Sequence, residues 1–186
     1  MKPLDELAKD YLAADDVKYH TYPCDGSSPM RHAVIAAFET KTCFVWLQIV
    51  ADNEDRALRL VASSGLKVGV EKAAAMREYT AMLNHRFVLG CFDIDPDNGE
   101  LRFTIGATFD DMEPSLAAFR RMIATAFGVF GEHFPALAQL LHTGKSPVEL
   151  AKLDCRAFQE SGRSHARAAC GQRRRGRLGR TCQPAR

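Results

Sequence analysis

Three short stretches of this chain bring together side chains capable of chemistry. Asp93-x-Asp95-x-Asp97 spaces its carboxylates as a calcium loop does, where alternating acids converge on one hard cation. An EF-hand wants glycine at position 6 and a bidentate Glu at position 12; here Gly99 stands at position 7, Thr104 at position 12, and Pro96 interrupts the run. A solvated hairpin turn explains the same acids more simply. Gly144-Lys145-Ser146 has the ending of a phosphate-binding loop, but its first glycine would have to be residue 139, which is Gln139, and a helix rather than a strand precedes it. Ser146-Pro147-Val148-Glu149 reads instead as a capping box opening a short helix. His20 and Cys24 could form an imidazolium–thiolate pair, yet no third residue is placed to orient the base.

The remaining candidates are weaker still. His32, His85, His133 and His142 show neither H-x-x-x-H nor H-E-x-x-H spacing, and the six cysteines contain no C-x-x-C. No catalytic residue, metal site or cofactor is expected, and Cys43 and Cys91 fall in apolar strand patterns as small hydrophobes.

The elements that would position such groups follow from periodicity. Leu4, Leu7, Tyr11 and Leu12 predict a helix over 3–15, with Pro3 in its first turn. Val17–Tyr22 suits a strand, and Pro23–Pro29 is dense in turn residues. Strands are predicted at 32–39, at 43–50, where both faces are apolar, and from Leu58 to Ser63. Ala73, Met76, Tyr79 and Leu83 predict a second helix over 71–86, leading into a strand over 87–94. Asp95–Gly99 then closes a hairpin onto Leu101, Phe103, Ile105 and Ala107. Apolar residues at 116, 119, 123, 127, 130, 134, 137 and 141 predict a long helix over 113–142, with a kink near 128–135 from Gly128, Gly131 and Pro135.

Composition bounds the class. The chain has 186 residues, 46% hydrophobic and 26% charged, as in an ordinary soluble globular protein. Its longest stretch without Lys, Arg, Asp or Glu is the twelve residues from His133 to Gly144, shorter than the roughly 18 of a membrane helix. The opening Met1–Leu7 turns acidic and helical at once, without the apolar core of a secretory signal, so a cytoplasmic location is expected. The net charge of +2 hides a split: residues 156–186 hold nine Arg and one acid, a net of +8. That leaves 16 basic against 22 acidic side chains in 1–155, a net of −6. Two regions are expected, a folded domain over 1–154 and a disordered Arg-rich tail over 155–186. Weak nucleic-acid binding through the tail is one alternative function. It is disfavoured because the tail has no aromatic residue after Phe158 to stack on bases. The abrupt change in composition also fits a translated tail never selected for structure.

Lys72-x6-Tyr79-x4-Asn84 on the second helix, Val88-Leu89-Gly90-x-Phe92-Asp93-x-Asp95-x-Asp97-x-Gly99-Glu100-x-Arg102-Phe103 along the hairpin, and Phe134-Pro135-Ala136-Leu137 together resemble the YbjN family of bacterial sensory transduction regulators. The resemblance spans about residues 3–145. It implies an α+β domain similar to type III secretion chaperones, with an antiparallel sheet, an N-terminal helix, a middle helix and a long kinked C-terminal helix. It also implies a domain that is often dimeric and acts in regulation or protein binding, with no catalytic residues to transfer. The leading expectation is a non-enzymatic protein-interaction domain with a protein partner, a second copy included. A small thiol-dependent or ligand-binding enzyme is a further alternative. If Cys43, Val45, Leu47 and Ile49 face the helices, Phe44, Trp46 and Val50 lie on the opposite face, joined by Val61, and form the candidate interaction surface.

Overall fold

The computed structural model describes residues 1–23, 31–110 and 112–152. The predicted turn around 24–29, Cys24 and the Arg-rich tail lie outside the described residues. Within them, α1 spans Leu4–Ala14, followed by β1 (Tyr19–Pro23), β2 (Arg31–Glu39), β3 (Phe44–Asp52) and β4 (Ala57–Lys67). Then come α2 (Val70–Asn84), β5 (Cys91–Ile94), β6 (Glu100–Thr108) and α3 (Leu116–His142), with a short helix over 147–152. The six strands form one antiparallel sheet in the order β1-β2-β3-β4-β6-β5.

Alternation along the strands builds the core. Val45, Leu47, Ile49 and Ala51 on β3 are fully buried with Leu58, Leu60 and Ala62 on β4 and Leu101, Phe103 and Ile105 on β6. Against this face pack Leu4, Ala8 and Leu12 of α1, Met76, Tyr79 and Leu83 of α2, and Phe119, Ala126, Phe130 and Leu137 of α3. The helices therefore share one side of the sheet, each burying a stripe at three- and four-residue spacing. The start of α1 lacks a side-chain cap of its own, and Asn53 of the β3–β4 turn substitutes. Its Oδ1 accepts from the Leu4 N–H at 2.6 Å, while its amide donates to buried Asp5 at 2.9 Å.

One expectation changes on inspection, and the long helix gains a detail that spacing does not give. The strand predicted over 87–94 begins only at Cys91. Residues 87–90 are a connector that tucks the Phe87 ring against Phe92, Phe103 and His133, and Gly90 turns it at φ 82°. A β-carbon at Gly90 would lie 2.8 Å from the Phe103 ring and from Ile105, so glycine is required there twice over. The long helix runs unbroken from Leu116 to His142 through Pro135, about 40 Å at 1.5 Å per residue. Pro135 has no N–H for the carbonyl of Gly131, and the Thr42 hydroxyl in the β2–β3 turn donates to that carbonyl instead. The two elements touch so closely that a β-carbon on Gly131 would sit 2.8 Å from Thr40 Cβ.

Candidate functional site

Register assembles the sheet face that the helices leave uncovered. One row reads Ala37, Trp46, Ser63, Arg102 and Asp93 across β2, β3, β4, β6 and β5. The next reads His20, Ile35, Gln48, Val61, Thr104 and Cys91 across all six strands, and a third Tyr22, Ala33, Val50, Arg59 and Gly106. Phe44 lies on the same face two residues before Trp46. Helix α1 lies against β2 and β3 with its buried leucines in the core, so it does not cover this face.

The four candidate residues share the face but differ in access. Phe44 is 63% exposed and Trp46 55%, large values for rings this size, while Val50 is half-buried. Val61 is buried at 8% exposure and lies at the floor of the face. It stands on an interior strand, flanked by Gln48 on β3 and Thr104 on β6, and these neighbours shield it. Tyr22, 55% exposed on β1, belongs to the surface and was not anticipated. Its only signal was alternation with His20 along a five-residue strand. His20, Tyr22, Ile35, Trp46, Gln48 and Val61 line a hollow of about 380 Å³. A second, about 560 Å³, opens beside Val50, Arg59 and Gly106.

Polar groups frame this apolar centre. Arg102 pairs with Asp95 and with Glu100 at 3.1 Å, and Ser63 donates to Glu100 at 2.8 Å. Burial pushes the Asp93 carboxyl above the ordinary carboxylate range, against the lowering effects of the Thr104 hydroxyl and of Arg102 and Arg59. The same balance disfavours nucleophilic chemistry at Cys91. Although exposed, its thiol is pushed up, first by burial of the sulfur and then by the Asp93 charge, opposite to what activates a thiolate.

The other sequence candidates take structural roles. Asp95 accepts from the Asp97 N–H at 2.9 Å and its backbone exchanges bonds with Gly99 and Glu100, so the acidic run is the β5–β6 turn. Ser146 and Glu149 form the capping box reciprocally, at 2.8 Å from the Ser146 N–H and 3.3 Å from the Glu149 N–H. Lys145 turns to Gln139 at 3.0 Å. Among the described residues no three His, Cys, Asp or Glu converge as metal ligands, and no helix is long and apolar enough to cross a membrane. The His20–Cys24 pair cannot be placed, because Cys24 lies outside the described residues.

No family model matches the chain, and no curated protein matches it. Among solved structures it is similar to the crystal structure of "YbjN, a putative transcription regulator from E. coli", with a TM-score of 0.50 over 76% of this chain and 93% of that one. At 13% identity, what the two chains share is the fold: a mixed helix and antiparallel-sheet domain of YbjN type.

Proposed function

We propose that residues 1–154 form a non-enzymatic regulatory domain of type III secretion chaperone-like architecture that docks another polypeptide on its open sheet face. One observation carries this reading: Phe44 and Trp46 stand two residues apart on β3, 63% and 55% exposed, on an interior strand of a sheet whose described helices pack on the other side. A large apolar surface ringed by charge is the usual anatomy of a protein interface. Support for a non-enzymatic role comes from the separation of the reactive groups. His20 lies on the edge strand β1, Cys91 sits on the opposite edge strand β5 with a suppressed thiol, and Cys43 lies in the β2–β3 turn.

The test immobilises the full chain and compares the proteins it captures from its host lysate with those captured by Trp46→Glu and by Ala14→Glu, a control on exposed α1 surface. Loss of a captured set with Trp46→Glu alone, at unchanged circular dichroism, is expected. An identical set from all three removes the face from the function.

A further inference from the structure

Trp46 stands between two hollows on the open face and divides them. It lines the one of about 380 Å³ that holds Gln48 and Val61, and another of about 380 Å³ that holds Lys18 and Ala37; His20 and Ile35 also line both. We propose that this pair of hollows binds a free adenine mononucleotide, its base stacked on Trp46 and read by Gln48, its phosphate held by Lys18 and His20. The site lies on the docking face proposed above, but it goes beyond that reading and does not depend on it.

The base follows from ring access and from the polar group beside the ring. Trp46 is flanked across the sheet by Ala37 and Ser63, side chains too small to cover an indole, which leaves it 55% exposed on an interior strand. Stacking a base on an aromatic ring tightens binding about five- to a hundredfold. Half-buried Ile35 and buried Val61 supply an apolar floor. Gln48 follows on the same face two residues along β3, roughly 7 Å on. Among the described residues its side-chain amide has no hydrogen-bond partner. An amide offers one donor and one acceptor side by side, which matches the N7 acceptor and N6 donor of adenine. Guanine presents two acceptors there, N7 and O6, and calls for a guanidinium. The guanidinium in this hollow, Arg102, is already committed to Asp95 and Glu100. Adenine is therefore the base that the free groups fit.

Charge places the phosphate in the other hollow. Glu100 lines the base side, where it occupies both Arg102 and the Ser63 hydroxyl, so these groups are not free to take an anion. In the second hollow the Lys18 ammonium and the His20 imidazole are exposed, and among the described residues neither has an ion-pair or hydrogen-bond partner. An ammonium and an imidazole N–H both donate to a phosphate oxygen. Asp16 lines the same hollow and offsets part of this positive charge, which suits a monophosphate better than a polyphosphate.

The chain has a single tryptophan, Trp46, so its own fluorescence reports on the site. Titrating AMP into the full chain at low salt should quench that fluorescence saturably, with a dissociation constant on the order of 0.1–1 mM. GMP should bind about five- to tenfold more weakly, and Gln48→Arg should invert the preference, which misfolding could not do. Lys18→Ala should weaken AMP about two- to fivefold and leave adenosine unchanged. Quenching that rises linearly with AMP up to about 5 mM overturns the proposal. Equal binding of AMP and GMP, or an unaltered preference in Gln48→Arg, overturns the base assignment, and an unchanged AMP affinity in Lys18→Ala overturns the phosphate placement. A hexa-adenylate RNA that binds more than about tenfold tighter than AMP overturns the free mononucleotide as occupant. None of these outcomes depends on protein capture. If AMP does not bind and Trp46→Glu still loses its captured set, the nucleotide site falls and the docking reading stands; saturable AMP binding with an unchanged captured set gives the reverse.

Discussion

Thr42→Val removes one hydroxyl from an exposed turn and should nevertheless destabilise the whole domain. The carbonyl it serves belongs to Gly131, which is buried in the middle of α3 and lacks its helical partner because residue 135 is proline. Leaving a buried carbonyl without its donor costs about 1–3 kcal/mol. Since Thr42 itself is exposed, so that water can partly replace it, the lower half of that range applies, about 1–1.5 kcal/mol. For a domain of this size that lowers the midpoint of thermal unfolding by about 2–6 °C. The cause is isolated by repeating the substitution in a Pro135→Ala background, where the new N–H at 135 can donate to the Gly131 carbonyl in the ordinary way. There Thr42→Val should cost no more than about 0.3 kcal/mol, a coupling of about 1 kcal/mol between two residues 93 apart in sequence. Urea unfolding followed by circular dichroism, extrapolated linearly, measures all four corners of the cycle. Equal costs in the two backgrounds would refute the replacement of the missing helical bond by Thr42.

Three further outcomes follow from other contacts. Gly90→Ala must adopt φ 82° and press its β-carbon onto the Phe103 ring, so it should cost about 2–4 kcal/mol, read from urea midpoints; a neutral result would mean the connector can move aside. Asn84→Ala should cost about 1–3 kcal/mol and add concentration-dependent association, detected by light scattering, because it frees the backbone of Phe92; a strictly monodisperse variant would count against this. The Glu149 carboxyl is held below its ordinary range by the Ser146 N–H and hydroxyl. Its contribution to stability is therefore present above the ordinary carboxylate pKa and lost as pH falls through the lowered folded value. Carbon-detected NMR titration should show that lowered value rise part of the way toward normal in Ser146→Ala, which loses the hydroxyl and keeps the backbone N–H, and an unchanged midpoint would remove the hydroxyl as a cause.

Much of this architecture was legible because periodicity is a local property. The eight-member stripe of α3, the turn at Asp95–Gly99 and the placement of Phe44 and Trp46 opposite the core all followed from spacing within one element. What escaped depends on residues far away in sequence. Val61 has the period of a surface residue, but its burial is decided by Gln48 and Thr104 on neighbouring strands. The apolar run Phe87-Val88-Leu89 has strand composition, yet Gly90 and the aromatic cluster claim it as a connector. Proline and glycine in α3 predicted a kink near 128–135, and only the position of Thr42, brought near by the β2–β3 turn, shows which group serves the carbonyl that Pro135 leaves without its helical donor. Tyr22 joined the candidate surface through the register of β1 with β2, which the turn-rich segment after it concealed.

The treatment of one sheet edge bears on how the sheet meets a partner. Strand β5 ends the sheet, and an unprotected end strand invites pairing through its free N–H and C=O groups. Here the side chain of Asn84, at the end of α2, occupies both groups of Phe92, accepting from its N–H at 2.7 Å and donating to its C=O at 2.9 Å. One amide thus imitates the next strand and closes the edge to strand addition. Among the described residues the adjoining face receives no such cover, and three exposed rings stand on it, Phe44 and Trp46 on the interior strand β3 and Tyr22 on the edge strand β1. Sealing the Phe92 backbone while leaving aromatic side chains open favours the proposed docking through side chains across the sheet over extension of the sheet at β5. That preference explains why substitution at Trp46 is expected to govern partner capture, and why loss of Asn84 should create unspecific association instead.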